Sequence, residues 1–147
     1  MKILFIVFVI VLDISQQSMG CLLGPRIHVN IMNNLDPNSP ELGLRCQSAN
    51  DDLGYHTLPA NQFYYWTFCE TLTTLFFCHL YIGDLKEVSF EAYAENIFKV
   101  TKHAHYWSVR NDAIYYSTTN ITSHFVPKYY WSMQPPIPPP LLPNHVF

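Results

Sequence analysis

Hydrophobic and polar residues alternate along much of the chain. In Arg26–Asn33, the side chains of Ile27, Val29 and Ile31 fall on one side and polar side chains on the other, which is the period of a half-buried strand. Similar alternating or aromatic-rich runs, separated by turn residues, predict seven further short strands at 42–46, 55–58, Phe63–Cys69, 74–82, 88–93, 106–109 and 113–116. No long helical period occurs, and 96–99 is predicted to form one helical turn at most. The pattern predicts an all-β fold, a small antiparallel β-sandwich or barrel.

Two of the predicted connections are hairpins. Few residues separate Phe63–Cys69 from 74–82, which suits a hairpin loop, and a second hairpin is predicted around 110–112.

The first 20 residues predict a secretory signal peptide. Lys2 is followed by ten apolar residues at 3–12, and small residues lead up to a predicted cleavage site after Gly20. The apolar run is too short to span a bilayer, and no later segment is longer. We therefore expect an exported mature protein without a membrane span, consisting of one β-sandwich domain at 21–133 and a tail at 134–147.

Export changes how the four cysteines are interpreted. Cys21, Cys46, Cys69 and Cys78 are predicted to form disulfides, because nothing outside the cytosol keeps thiols reduced. Four cysteines allow three pairings, and the sequence does not choose among them. Cleavage after Gly20 would keep Cys21, whereas cleavage one residue later would leave an odd number.

Charge and composition narrow the list of partners. The formal net charge is −3 and the eight Lys and Arg residues are scattered, so nucleic acid is not a predicted partner. Asn120-Ile121-Thr122 predicts a glycan on Asn120, in an exposed loop. From residue 134, six prolines predict an extended polyproline-like tail, either a ligand for a groove or an unselected terminus.

An acidic turn at Asn50, Asp51, Asp52 and Gly54 raises the question of a metal. A calcium loop needs oxygens at alternate positions and a distal Glu, and these residues supply adjacent carboxylates instead. Side chains that bond to the local main chain, with Gly54 at positive φ, account for the same residues without an ion.

The residues of the chain give little support for a catalytic site. His103 and His105 could share a zinc ion on one strand face, with His79 or His124 as a further ligand, but no metalloprotease or Cys-x-x-Cys spacing is present. Exposed loop histidines are the favoured interpretation. No nucleophile elbow occurs, and neighbouring carboxylates diverge on a strand, so no catalytic residue, metal or cofactor is predicted.

Aromatic residues in Phe63–Cys69 divide between two faces. Tyr64, Trp66 and Phe68 share one face, while Phe63 and Tyr65 share the other. Core packing is the favoured role, and at least one face could remain exposed as a platform for sugars or proteins.

Several segments, taken in order, resemble the plant self-incompatibility protein S1 family, the S-protein homologues. These segments are HVNIMNNL, LRCQSANDDLGYHTL, YYWTFCETLTTLFFCHLYI, FEAYAE and YWSVRNDAIYY, and the resemblance covers nearly all of the chain from Ile27 to about Trp131. The Cys-x-Ser-x-x-Asp-Asp-Leu-Gly block that starts at Cys46 and the Thr-x-Phe-x-Cys block that ends at Cys78 are specific in combination.

The resemblance implies a small secreted β-sandwich whose founding members act as pistil determinants that signal to incompatible pollen. It carries no catalytic residues, and it matches Cys46 and Cys78 to the family's first two cysteines. The family's two later cysteines are absent, so Cys46 and Cys78 could pair with each other or with Cys21 and Cys69. The family's acidic-Gly hairpin appears here with Ala113, which at positive φ would cost about 1 kcal/mol.

A secreted, non-enzymatic signalling ligand is therefore the predicted function. Its loops, including 49–54 and the region of Asn120, would be read by a cell-surface receptor, because rigid strands lower the ordering cost of loop binding. The alternatives are a carbohydrate-binding module that presents aromatic side chains and a hydrolase with a metal on His103 and His105.

Overall fold

The computed structural model describes residues 20–22, 24–95 and 102–133, together with Ile3. The predicted signal sequence before residue 20, the helical turn at 96–99 and the tail at 134–147 lie outside this set, apart from Ile3. The strands are β1 Arg26–Asn33, β2 Leu42–Gln47, β3 Asp52–Leu58, β4 Phe63–Cys69, β5 Leu75–Ile82, β6 Lys86–Ala94, β7 Ala104–Val109, β8 Ala113–Ser117, β9 Val126–Tyr130 and β10 Ser132–Met133. A 3₁₀ turn, Thr122–His124, lies between β8 and β9.

The strands form two five-stranded sheets. Sheet A has the order β4-β1-β7-β8-β9, and sheet B has the order β10-β6-β5-β2-β3. All pairings are antiparallel except that of β1 with β7, which is parallel. The predicted all-β sandwich is confirmed, and so is each of the eight predicted strands. Strands β9 and β10 were not predicted; Pro127 is tolerated in β9 because β9 lies at the edge of sheet A.

The predicted hairpin between β4 and β5 is wrong. Strand β4 pairs with β1 in sheet A, whereas β5 pairs with β2 and β6 in sheet B. Both strands have an aromatic face that must be buried, and these faces meet across the interior. The ring centroids of Phe68 and Phe76 lie 4.6 Å apart, and those of Trp66 and Phe76 lie 5.6 Å apart. Packing between the sheets therefore separates two strands that are close in sequence.

Trp107 connects the two sheets at the centre of the core. Its side chain on β7 is only 1% exposed, and its ring centroid lies 4.6 Å from that of Phe90 on β6. Its indole Nε1–H donates a 3.0 Å hydrogen bond to the carbonyl oxygen of Ala92. A large buried ring thus has its polar atom satisfied, as a buried tryptophan requires.

All four cysteines form disulfides. Cys46 and Cys78 are direct cross-strand neighbours on β2 and β5, and their disulfide is buried in the core. Cys21 is bonded to Cys69 at the end of β4, which ties the segment before β1 to sheet A. The structure therefore has one of the three possible pairings, Cys21 with Cys69 and Cys46 with Cys78. The two later cysteines that the family resemblance implies are not needed for this pairing.

The β7–β8 hairpin is confirmed, but the strain expected at Ala113 is absent. Among the described residues other than glycine, Asn61 is the one with positive φ. Ala113 instead begins β8 in extended backbone, is buried, and its carbonyl accepts a 3.0 Å hydrogen bond from the Arg110 N–H. No cost of a left-handed alanine is therefore incurred.

Candidate functional site

The acidic turn between β2 and β3 is held in one conformation by its own side chains. The Ser48 N–H donates to the Asp51 carbonyl at 2.7 Å, and the Asp51 N–H donates back to Ser48 Oγ at 3.1 Å. Gly54 has a φ of +79° and donates its N–H to Asp52 Oδ1 at 3.0 Å. The positive φ of Gly54 and the predicted bonding of an Asp side chain to the local main chain are confirmed, the latter at Asp52; the part taken by Ser48 was not predicted.

An exposed ion pair joins the turn to sheet B. The Arg45 guanidinium on β2 donates to both carboxylate oxygens of Asp52, at 2.5 Å and 3.3 Å, and to the Tyr55 hydroxyl at 3.1 Å. Hydrogen bonding to Arg45, followed by that from Gly54, lowers the pKa of Asp52 below its usual value. The same bond to Asp52 raises the pKa of Arg45. Asp52 is thus a paired carboxylate and is not poised to work as an acid or base near neutral pH.

A cleft opens between this turn and the connection from β4 to β5. Its volume is about 430 Å³, and we refer to it as the loop cleft; it is lined by Gln47, Ser48, Ala49, Asn50, Thr71, Thr73, Thr74, Leu75 and Phe77. The Thr71 N–H donates to Thr74 Oγ1 at 2.8 Å, and the Thr74 N–H donates to the Thr71 carbonyl at 3.1 Å. Hydrogen bonds within each loop therefore fix both walls of the cleft.

The outer face of sheet B continues the loop cleft as a shallow groove of about 280 Å³. Gln47 and Phe77 line both cavities, and His79 and Ser89 lie further along the groove. His79 Nδ1 lies 2.9 Å from Ser89 Oγ, and His79 Nε2 lies 3.6 Å from a carboxylate oxygen of Glu87. This face consequently offers charged and hydrogen-bonding side chains around one aromatic ring.

The structure does not bring the four histidines considered for zinc together. His79 lies on β5 and His124 in the 3₁₀ turn, whereas His103 is exposed before β7 and His105 lies within β7. Across the described residues, no three His, Cys, Asp or Glu side chains are placed so that they could hold a metal ion. The shared zinc face has no geometric support there.

His105 was expected to be an exposed loop histidine, and this expectation is wrong. Its ring lies half-buried between the sheets, because β7 directs it inward beside Trp107. Nε2 lies 2.9 Å from the Lys102 carbonyl, so Nε2 carries the proton; Nδ1 accepts from the Tyr116 hydroxyl at 2.7 Å. Burial lowers the pKa of His105 below its ordinary value.

A further buried polar pair lies beside His105. The Tyr93 hydroxyl donates to Glu70 Oε1, and both side chains are buried. Burial, followed by this hydrogen bond, raises the pKa of Tyr93. The Tyr93 and His105 rings are in edge contact, with centroids 5.0 Å apart. Tyr93 bonds to Glu70 and His105 bonds to Tyr116 and Lys102, so these buried polar groups have partners within the protein, and we assign them a structural role.

Aromatic side chains also line a groove on the opposite outer face, that of sheet A. Trp66 and Tyr65 lie on opposite faces of β4, as predicted. The structure shows that Trp66 points inward, whereas Tyr65 and Phe63 point outward with 62% and 56% of their surface exposed. The groove has a volume of about 300 Å³, and we refer to it as the aromatic groove; its side chains include His28, Asn30, Phe63, Tyr65, Ala104 and Tyr106.

Two of the sequence predictions concern chemical processing of the chain. Asn120 is exposed in a bend between β8 and the 3₁₀ turn, which is the position that an N-linked oligosaccharide requires. The glycan on Asn120 and cleavage after Gly20 remain predictions. Within the described part of the chain, the structure has no helix with the length and apolar character needed to cross a membrane.

Some site residues were missed by sequence reasoning. Thr71 and Thr74 were placed in a supposed hairpin and not in a cleft wall, although two threonines that flank a short loop are a known local hydrogen-bonding signal. Asn30 and Tyr106 were recognised as strand residues, but no local signal shows that β7 lies parallel to β1.

Comparison with known proteins agrees with the fold. Residues 28–131 match the family model of the plant self-incompatibility protein S1. S-protein homolog 7 of Arabidopsis thaliana is 30% identical over 121 residues, which covers 78% of this chain and 90% of the relative. S-protein homolog 24 of the same plant is 29% identical over 123 residues, which covers 76% and 79%.

A solved structure shares the fold. It belongs to the SPH (self-incompatibility protein homologue) proteins, described as a widespread family of small, highly stable, secreted proteins from plants, and it aligns with a TM-score of 0.58 at 22% identity over 75% of this chain and 96% of its own. The predicted family and the predicted secretion are thereby confirmed. With a family match that extends over most of the sandwich, this chain belongs to the plant self-incompatibility protein S1 family, a family of secreted plant proteins.

Proposed function

We propose that this protein is an extracellular signalling ligand, without enzymatic activity, whose loop cleft is bound by a cell-surface receptor protein. The observation that carries the proposal is the fixed geometry of the acidic turn. Ser48 and Asp51 are joined by reciprocal hydrogen bonds, and Asp52 is held by both Arg45 and the main chain of Gly54. An exposed turn that is already ordered loses little conformational entropy when a partner binds.

The composition of the loop cleft suits a protein partner. Its walls consist mainly of small polar side chains, with Phe77 as the large apolar contact, 46% exposed. Such a surface supports specific hydrogen bonds around one aromatic anchor, the arrangement seen in protein interfaces. The Arg45–Asp52 pair next to the cleft adds charges that steer a partner of complementary potential.

The core disulfide supports the same role. Cys46 lies two residues before Ser48, and its bond to Cys78 on β5 fixes the strand from which the acidic turn emerges. A covalent link directly beneath a recognition loop limits the motion of that loop in the extracellular medium, where disulfides persist.

A cell-surface binding assay tests the proposal. Fluorescently labelled, disulfide-bonded protein is applied to plant protoplasts, and saturable binding is measured with and without mild protease treatment of the cells. Replacing both Ser48 and Asp52 with Ala in one variant should weaken binding by about tenfold or more, because both changes remove side-chain acceptors that hold the turn. Tyr130→Ala is the matched control, since Tyr130 is 68% exposed on sheet A, away from the loop cleft.

The expected result is saturable binding that protease treatment removes and that the double variant loses while Tyr130→Ala retains it. Binding that survives protease treatment, or that is equal in the double variant and the wild type, would contradict the proposal.

A further inference from the structure

We propose that the aromatic groove on the outer face of sheet A binds a pyranose ring of a neutral oligosaccharide. This activity is independent of the proposed receptor ligand role and uses the opposite face of the molecule.

The register of three strands builds the groove. Asn30 on β1 is the direct partner of Tyr65 on β4 and also of Tyr106 on β7. Residues that are paired across a sheet point to the same side, so two tyrosines flank one asparagine in a single row. In the next row, His28 is paired with Ala104, whose small side chain leaves the space open at that end.

Asn30 supplies an acceptor that the protein itself leaves unused. Its Oδ1 is buried and has no hydrogen-bond partner in the structure. Leaving a buried acceptor unpaired is unfavourable, so a hydrogen bond from a donor that enters the groove stabilises the complex. The terminal torsion of an asparagine is soft, and a small rotation turns Oδ1 toward a hydroxyl group in the groove. Sugar hydroxyls are donors of the required kind.

Exposed aromatic rings are the second feature of the groove, besides the Asn30 acceptor, that suits a sugar. Tyr65 is 62% exposed and Phe63 is 56% exposed, and their ring centroids lie 6.1 Å apart. Two adjacent exposed rings form an apolar patch, and contiguous apolar patches are typical of binding surfaces. A pyranose has an apolar face of C–H groups and a rim of hydroxyls, so it can cover one ring and still donate to Asn30 at its edge.

The charge of the groove selects the class of sugar. Among the described residues that line it, none is Asp, Glu, Lys or Arg, and its titratable side chains are histidines and tyrosines. An acidic sugar would bury a carboxylate without a permanent cation as its partner, which is costly. A neutral ring incurs no such cost. The cavity of about 300 Å³ is at the lower end of the range for small-molecule sites, which fits one ring of a longer chain that continues into solvent.

A glycan-binding experiment on the secreted, disulfide-bonded protein tests the proposal. The probes are neutral cell-wall fragments (cello-oligosaccharides, xyloglucan and galactan fragments), neutral oligomannose N-glycans, and acidic oligogalacturonates for comparison. Binding is measured on an array and then by titration calorimetry. We expect binding to at least one neutral set; the set that binds identifies whether the source is the wall or a glycoprotein.

Three variants test whether the aromatic groove is the sugar-binding site or only an exposed surface. Tyr65→Ala should weaken affinity by about tenfold or more, because it removes the stacking ring. Asn30→Ala should also weaken affinity while leaving the unfolding midpoint unchanged or raised, because it deletes an acceptor that has no partner. Tyr130→Ala, an exposed tyrosine on the far edge of the same sheet, should bind like the wild type.

Several outcomes would overturn the proposal. They are the absence of binding to every neutral probe, a preference for oligogalacturonates, and neutral binding that Tyr65→Ala and Asn30→Ala leave unchanged. Sedimentation that reveals a dimer, which dissociates on Tyr65→Ala without any sugar binding, would assign the groove to a second copy instead. Loss of receptor binding in the loop-cleft variant affects none of these readouts, so the two proposals fail separately.

Discussion

The outer faces of the two sheets differ in chemistry although the same alternation of residues produces both. On sheet B, Arg45 and His79 each lie beside a carboxylate, and polar loops extend that face into the loop cleft. On sheet A, the aromatic groove has two exposed rings on β4 and, among its described lining residues, no Asp, Glu, Lys or Arg.

This difference shows that the outward-facing residues of a strand can vary in chemistry while the inward-facing residues cannot. Every second residue of β1, β4, β5 and β7 is committed to the common interior, where volume and apolar character are constrained. The intervening residues face outward and contribute little to the core, so each face can acquire its own binding chemistry without loss of the fold. Four predictions, given in order of decreasing effect, test whether the inward and outward residues of these strands have separate roles.

Neighbouring aromatic residues on β4 should differ sharply in their effect on stability. Trp66→Ala should lower the free energy of unfolding by about 3–5 kcal/mol, because it empties a core site that is packed on Phe76. Tyr65→Ala should cost less than about 1 kcal/mol, because the ring is mostly in water. Chemical denaturation of both variants checks this, and equal losses would mean that Tyr65 serves the fold and not a binding site.

The two disulfides should stabilise the protein by different routes. Replacing Cys46 and Cys78 together with Ala should cost about 2–4 kcal/mol in unfolding free energy and also leave a gap in the core. The loops closed by the two disulfides span 32 and 48 residues, so their entropic contributions differ by less than about 0.5 kcal/mol.

Removal of the Cys21–Cys69 bond should therefore be the milder change, because Cys69 is exposed and no core gap results. Denaturant midpoints of the two double variants decide the order. The opposite order would show that the segment before β1 contributes more to stability than the buried bond beneath the acidic turn.

The interior behind the aromatic groove should respond to acid. The pKa of His105 is lowered by burial, between the Tyr116 hydroxyl and the Lys102 carbonyl and near Tyr93, Glu70 and Lys128. The unfolded chain gains a proton at about pH 6.5, whereas the folded protein gains it at lower pH. Stability is thus fully present above about pH 6.5 and falls as the pH decreases toward the lowered pKa.

His105→Gln isolates this effect from that of the other histidines. The wild type should lose more unfolding free energy than the variant between pH 7 and pH 5, as measured by urea denaturation at each pH. Parallel pH profiles for the two proteins would show that His105 makes no contribution.

Added salt should weaken binding at the outer face of sheet B more than binding at the outer face of sheet A, and this is the smallest of the four expected effects. Raising ionic strength from about 0.05 to 0.5 M shortens the screening length to a few ångströms, which weakens contacts made by exposed charges such as Arg45 and Asp52. Receptor binding through the loop cleft should weaken several-fold, and sugar binding in the aromatic groove should stay within about twofold. Equal salt dependence of the two would remove the proposed chemical distinction.

Much of the fold could be predicted from local pattern. Alternating and aromatic-rich runs located eight strands. Alternation also divided the aromatic residues of β4 correctly between two faces, because the direction of a side chain on a strand depends only on its position. The bonding within the acidic turn was likewise predictable, since Ser48, Asp52 and Gly54 act over two or three residues.

The errors concern contacts between distant parts of the chain. Two adjacent aromatic strands were paired because their loop is short, but burying both aromatic faces places them in opposite sheets. His105 was placed in solvent because the neighbours that cover it, Tyr93 and Tyr116, come from other strands. Neither candidate site was predicted in full from the sequence, since each is formed where segments that are distant in sequence meet.

Residue type and spacing along the chain were enough to locate eight of the ten strands in the described residues and to sort the aromatic side chains of β4 into two faces, because both depend only on local position along a strand. Tertiary structure decided the partners: β7 beside β1, Cys46 with Cys78, and Asn30 between two tyrosines. These choices depend on how well a whole core packs, a free energy summed over residues that are far apart in sequence, and no local pattern contains that sum.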